Sequence, residues 1–100
     1  MEQFGQTVYS DLDSDIDLSC DFDELYSNYI LNPLNNLSIE MPNISGYPGK
    51  IVNIRIYNNG IQYNLEINYN YRNIGTIYPN EMVVCEFIVY GGDGDSWTLI

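Results

Sequence analysis

Residues 50–71, KIVNIRIYNNGIQYNLEINYNY, put apolar side chains on alternate positions: Val52, Ile54 and Ile56 before Asn59-Gly60, and Tyr63, Leu65 and Ile67 after it. A period of two marks a half-buried β-strand. Asn-Gly between two such runs signals a two-residue hairpin turn. That turn would set Ile56 against Tyr63, Ile54 against Leu65 and Val52 against Ile67 on one sheet face. Arg55, Gln62, Asn64, Glu66 and Asn68 would occupy the other. A slip of one residue would bring Asn and Glu opposite the apolar set, so the pattern specifies its own register.

The rest of the second half reads the same way. IGTIY (74–78) is a short strand and Pro79-Asn80 a turn. MVVCEFIVY (82–90) is apolar on both faces except at Glu86, as expected of a central strand. A glycine-rich loop, GGDGD (91–95), leads to a last strand, SWTLI. Upstream, residues 32–49 hold three of the four prolines and read as a connector with a short strand near 37–41.

The first third changes period. DLDSDIDL (11–18) carries an aspartate at every odd position, which predicts an extended segment with one anionic edge. Leu18, Phe22, Leu25 and Tyr29 then follow helical spacing, and Asp21 with Glu24 forms an aspartate version of the capping box. Pro33 would stop such a helix. The expected fold is α+β: a small, strongly bent antiparallel sheet of four to five strands, with one N-terminal helix at about 21–31. The chain is expected to be a single domain, 1–100, with an acidic N-terminal segment (1–20), a β core (50–100) and no internal repeats.

Ile74, Gly75, Thr76, Pro79, Val83, Trp97 and Ile100 lie in the segment IGTIYPNEMVVCEFIVYGGDGDSWTLI. The segment resembles the middle of bacterial Src-homology-3-like domains, in which a short Gly-containing strand, a turn, a valine-rich strand and a loop precede a Trp strand. The resemblance implies a curled, SH3-like partial barrel, to which the 50–71 hairpin would contribute.

Charge narrows function. Fourteen acids stand against Lys50, Arg55 and Arg72, for a net charge of −11, and eight of the fourteen fall within residues 1–24. Asn and Ile occur thirteen times each, as in AT-rich coding, yet lysine, which such coding also favours, occurs once. The shortage of lysine therefore reads as selected. Three bases cannot neutralise a phosphate backbone, which excludes direct nucleic-acid binding. The chain has no histidine, so neither a Ser-His-Asp nor a Cys-His arrangement can be built, and two cysteines alone do not make a zinc site. A single Cys20–Cys85 disulfide is the alternative, but the two read as free thiols of a reducing compartment. No apolar run approaches a membrane span, and MEQFGQTVYS lacks the features of a secretory leader, so an intracellular protein without cofactor is expected.

From Asp13 to Glu24, acids fall at positions 1, 3, 5, 9 and 12 of a twelve-residue run, as in an EF-hand loop, but Leu18 stands where that loop needs glycine. Calcium binding is therefore the lesser alternative, and a general protein-interaction module is another. The principal expectation is a non-enzymatic acidic inhibitor of the kind phages and mobile elements encode. It would occupy the basic, nucleic-acid-binding surface of a partner protein or nuclease as a DNA-mimic decoy. Asp11, Asp13, Asp15, Asp17, Asp21, Asp23 and Glu24 would meet its lysines and arginines, joined by Asp93 and Asp95 of the glycine-rich loop. Phe22 and Tyr26 would serve as apolar anchors.

Overall fold

Through its first six strands the chain alternates between two sheets. This computed structural model describes residues 4–22, 25–43, 51–88 and 96–100. In chain order the strands are β1 (Phe4–Leu12), β2 (Ile16–Asp17), β3 (Tyr26–Pro33), β4 (Leu37–Glu40), β5 (Ile51–Asn58), β6 (Leu65–Tyr69), β7 (Arg72–Ile77), β8 (Met82–Ile88) and β9 (Ser96–Leu99). They form a five-stranded sheet, β1-β3-β5-β8-β9, and a four-stranded sheet, β2-β4-β6-β7. Strands β1, β3 and β5 are parallel, as are β2, β4 and β6. The first six strands are thus three coils, each giving one strand to each sheet. The antiparallel strands β7, β8 and β9 close the structure.

This corrects the α+β expectation. No helix occurs among the described residues, and both sheets mix parallel with antiparallel pairs. The span expected to be helical becomes β3, flanked in register by β1 and β5. Tyr29, Leu31 and Pro33 are buried while Asn28, Ile30 and Asn32 are only half-buried, a period of two that satisfies the backbone through two neighbours. Of the residues that gave the helical spacing, Leu18 and Leu25 lie in the core, and Phe22 packs against it.

The Asn59-Gly60 hairpin is also corrected. β5 and β6 lie in different sheets, so Ile54, Ile56, Leu65 and Ile67, all wholly buried, meet face to face rather than side by side. Asn58 decides the crossing. Its side-chain nitrogen donates to the carbonyls of Tyr63 (2.8 Å) and Ile77 (3.0 Å), and its oxygen accepts the Gly60 N–H (2.9 Å). It is the buried polar residue among the described core and makes three bonds there. The two-residue turn instead falls at Asn70-Tyr71, between paired Tyr69 and Arg72, with φ of 52° and 65°.

The coils make a repeat, where none was expected. Ile16, Ile39 and Ile67 stand in register across β2, β4 and β6, within the triplets IDL (16–18), IEM (39–41) and INY (67–69). Val8, Tyr29, Ile56 and Val83 form the matching inward row of the larger sheet. Trp97, buried, fixes the chain end by donating from Nε1 to the Pro42 carbonyl (2.8 Å). Gly75 faces Leu99, where an added Cβ would come within 2.5 Å of a methyl carbon.

Both cysteines are free, Cys20 exposed and Cys85 buried. Burial pushes the Cys85 thiol up to about 12. The folded state thus holds this proton more tightly than the unfolded state, whose thiol keeps its ordinary value of 9.0. The resulting stabilisation is complete below pH 9 and is lost as pH rises toward 12. At pH 8, a disulfide reagent should therefore modify Cys20 in the native chain and reach Cys85 only after denaturation. Denaturant titrations from pH 9 to 11 should show a fall in stability that is shallower in Cys85→Ala; equal slopes would remove this account.

Candidate functional site: an anionic sheet face

The outer face of the four-stranded sheet follows from the inward isoleucine ladder. Because Ile16, Ile39 and Ile67 point into the core, the next residues, Asp17, Glu40 and Asn68, point out, in register across three strands. Neighbouring strands lie ~4.8 Å apart, so the two carboxylates stand side by side. Like charges directly opposite one another destabilise a sheet. One row back along the strands, Ser38, Glu66 and Thr76 are paired, and Asp15 reaches the same row by accepting the Ser38 N–H (2.8 Å).

These carboxylates are held differently. Glu66 accepts from Asn73 Nδ2 and Thr76 Oγ1, both at 2.8 Å. Asp17 accepts the Ser19 N–H (2.8 Å) and the Ser19 hydroxyl, bonds that lower its carboxyl below the ordinary 3.8. Asp21 returns a carboxylate oxygen to the Asp17 N–H (2.7 Å), closing a tight loop after β2. Partial desolvation, then the charges of Asp17 and Asp21, raise the Cys20 thiol within that loop. Glu40, between Asp17 and Asn68, accepts no side-chain hydrogen bond among the described residues.

At the C-terminal ends of β2, β4 and β6 this face opens into a groove of about 330 Å³ lined by Asp17, Ser19, Glu40, Tyr69, Asn70 and Tyr71, with Met41 to Asn43 beside them. Tyr71 is fully exposed and sits in the left-handed region, φ 65°. An aromatic residue there costs about 1 kcal/mol that glycine would not. Two carboxylates beside a projecting phenol ring suit a lysine or arginine side chain, which gains charge pairing and contact with a ring.

The aspartates of DLDSDIDL do not line one anionic edge. Asp11 lies on the outer face of the other sheet, where its carboxylate accepts from Asn32 Nδ2 (3.1 Å). Asp13 and Asp15 turn the corner between β1 and β2, with Asp13 exposed. Asp17 belongs to the face just described. Phe22 and Tyr26 pack inward, edge-on to Tyr29 at ring distances of 5.3 and 5.9 Å. Asp23, Glu24, Asp93 and Asp95 lie outside the described residues. Among the described residues no group of three or more acids and cysteines is placed to hold a metal ion. Glu40 and Glu66 were not singled out from sequence, although the recurring Ile-acid pair in IDL and IEM carried the signal.

Neither described cation lies on β2 or β4, the strands that carry Asp17 and Glu40. Arg55 lies in β5 of the other sheet, and Arg72 begins β7, on the far side of β6 from Glu40. Comparison with known proteins finds no matching family model, no similar curated protein and no similar solved structure.

Proposed function

We propose that this chain is a non-enzymatic binding protein that lays the outer face of its four-stranded sheet, with the aspartate corner beside it, on the basic nucleic-acid-binding surface of a partner protein. The observation that carries the reading is the in-register pair of Asp17 and Glu40, two like charges side by side with no cation between them. A surface selected for stability alone would alternate sign there. Carboxylates on this face recur ~4.8 Å across strands and ~6.6 Å along them. Duplex DNA carries a charge every ~1.7 Å of axis, so the face is too sparse to copy a duplex. It acts by filling a basic groove and excluding nucleic acid from it.

The test is displacement of labelled duplex DNA from a panel of purified basic nucleases and DNA-binding proteins. The chain should displace DNA from at least one of them at 50 mM salt and lose affinity steeply by 200 mM. Asp13→Asn with Glu40→Gln, which removes two charges that support no fold contact described above, should weaken displacement. Displacement indifferent to salt and to both substitutions, or none from any panel member, would refute the reading.

A further inference from the structure

Strand β1 is the edge of the five-stranded sheet, with β3 as its neighbour. The Leu12 carbonyl accepts the Leu34 N–H (2.8 Å), which turns Leu12 toward β3. Alternation along the strand then turns Ser10 and Val8 toward β3 and Thr7, Tyr9 and Asp11 away from it. Their outward backbone groups have no strand opposite them among the described residues. The Ser10 hydroxyl, 3.2 Å from the Asp11 carbonyl, occupies one of them in part.

Natural edges are blunted by lysine, proline or a bulge. From Thr7 to Leu12 this edge has neither lysine nor proline, and its irregularity lies before Thr7. Its coil is also the least covered. Val8 and Ile16 are half-buried, whereas Tyr29, Ile39, Ile56 and Ile67, which continue their rows, are wholly buried. The end of a coil stack needs a cap, because each coil is covered by its neighbour.

Charge identifies what completes this end. Asp11 closes the strand, Asp13 and Asp15 form the corner beside it, and Asp17 and Asp21 follow, with no base within residues 4–22. A second copy brought edge to edge would set these aspartates against their own duplicates. A cationic strand would meet them favourably.

We propose that β1 takes up an extended, cationic segment of the partner protein as a sixth strand, its backbone pairing with Thr7, Tyr9 and Asp11 and its basic side chains reaching the corner aspartates. This rests on the reading of the chain as a binder of basic proteins and adds the mode of engagement, β-strand addition.

The experiment uses the full chain and three nine-residue probes: alternating lysine and threonine, alternating glutamate and threonine, and the lysine peptide N-methylated along one edge. The lysine peptide should bind and the other two should not. Hydrogen exchange should show the Thr7, Tyr9 and Asp11 amides open in the free chain and protected in the complex, with Val8 and Ser10 protected in both. Tyr9→Pro removes an outward N–H and spares the bonds to β3, so it should weaken the lysine peptide about tenfold. Tyr9→Ala should change it little. If Tyr9→Pro does not fold, the exchange pattern of the wild type decides. Equal binding of plain and N-methylated lysine peptides, or binding lost in Glu40→Gln but intact in Tyr9→Pro, would overturn strand addition and leave the anionic face standing. Absence of peptide binding together with absence of DNA displacement would sink both readings. A concentration-dependent dimer abolished by Tyr9→Pro would place a second copy on this edge and overturn the cationic occupant.

Discussion

Asn58→Leu is expected to lower the stability of the chain by about 4 kcal/mol, although it exchanges side chains of similar volume in the same core. The amide makes three bonds, to the carbonyls of Tyr63 and Ile77 and from the N–H of Gly60. Leucine removes all three bonds, and each buried group left unsatisfied costs about 1–3 kcal/mol. Some relaxation in the 59–64 loop offsets part of this. Against the ~5–15 kcal/mol that holds a domain of this size, the loss is severe. Urea unfolding followed by tyrosine or Trp97 fluorescence measures it. Asn58→Asp should be at least as damaging at neutral pH, because it keeps the acceptor for Gly60 but buries a carboxylate against the carbonyls of Tyr63 and Ile77. A leucine variant within 1 kcal/mol of wild type would show that the amide does not anchor the crossing.

Glu40→Lys should move stability and binding in opposite directions. A cation at position 40 faces Asp17 across β2 and β4, turning a repulsive pair into an attractive one, a gain of about 0.5–1 kcal/mol. The same change alters the net charge from −11 to −9 and puts a positive group in the groove proposed to receive basic side chains. DNA displacement from a basic partner should weaken by at least about tenfold at low salt, converging on wild type as salt rises. Tyr71→Gly should behave alike. It relieves the left-handed backbone of an aromatic residue, worth about 1 kcal/mol, and removes the ring that projects beside Glu40. Melting curves and displacement assays on the same samples separate the two effects. If either variant were both more stable and fully active, the unfavourable pair or the strained turn would have no use in binding.

Much of the β half was legible because burial imposes its period directly. Ile54, Ile56, Leu65, Ile67, Cys85 and Phe87 alternate with polar or outward residues, and every one is wholly buried. The short strands near 37–41 and 74–78, the inner strand beginning at Met82 and the last strand at Trp97 all occur. The helix at 21–31 was misread because Leu18, Phe22, Leu25 and Tyr29 satisfy helical spacing over a span too short to exclude a loop followed by a strand. Asn28 and Asn32, poor helix formers on the outer face of β3, were the contrary signal. For the site, the aspartates were visible as charge but not as positions. Asp15 and Asp17 spend their oxygens on Ser38 and Ser19, while Glu40, inconspicuous in a proline-bounded segment, stands unengaged beside Asp17.

By itself, the sequence determined which side chains of the β half go inward and where along the chain the charge concentrates, since each depends on residue type and local period. Only the tertiary structure decided which inward faces meet. Ile54 and Ile56 cover Leu65 and Ile67 equally well beside them in a hairpin or across from them in a second sheet, so the pattern is the same in both. The choice rests on groups brought together from distant parts of the chain: the Asn58 amide with the Ile77 carbonyl, the Trp97 indole with Pro42, and the three coils stacked through Ile16, Ile39 and Ile67. The same stacking sets Asp17 against Glu40, a juxtaposition of residues 23 positions apart that no local period encodes.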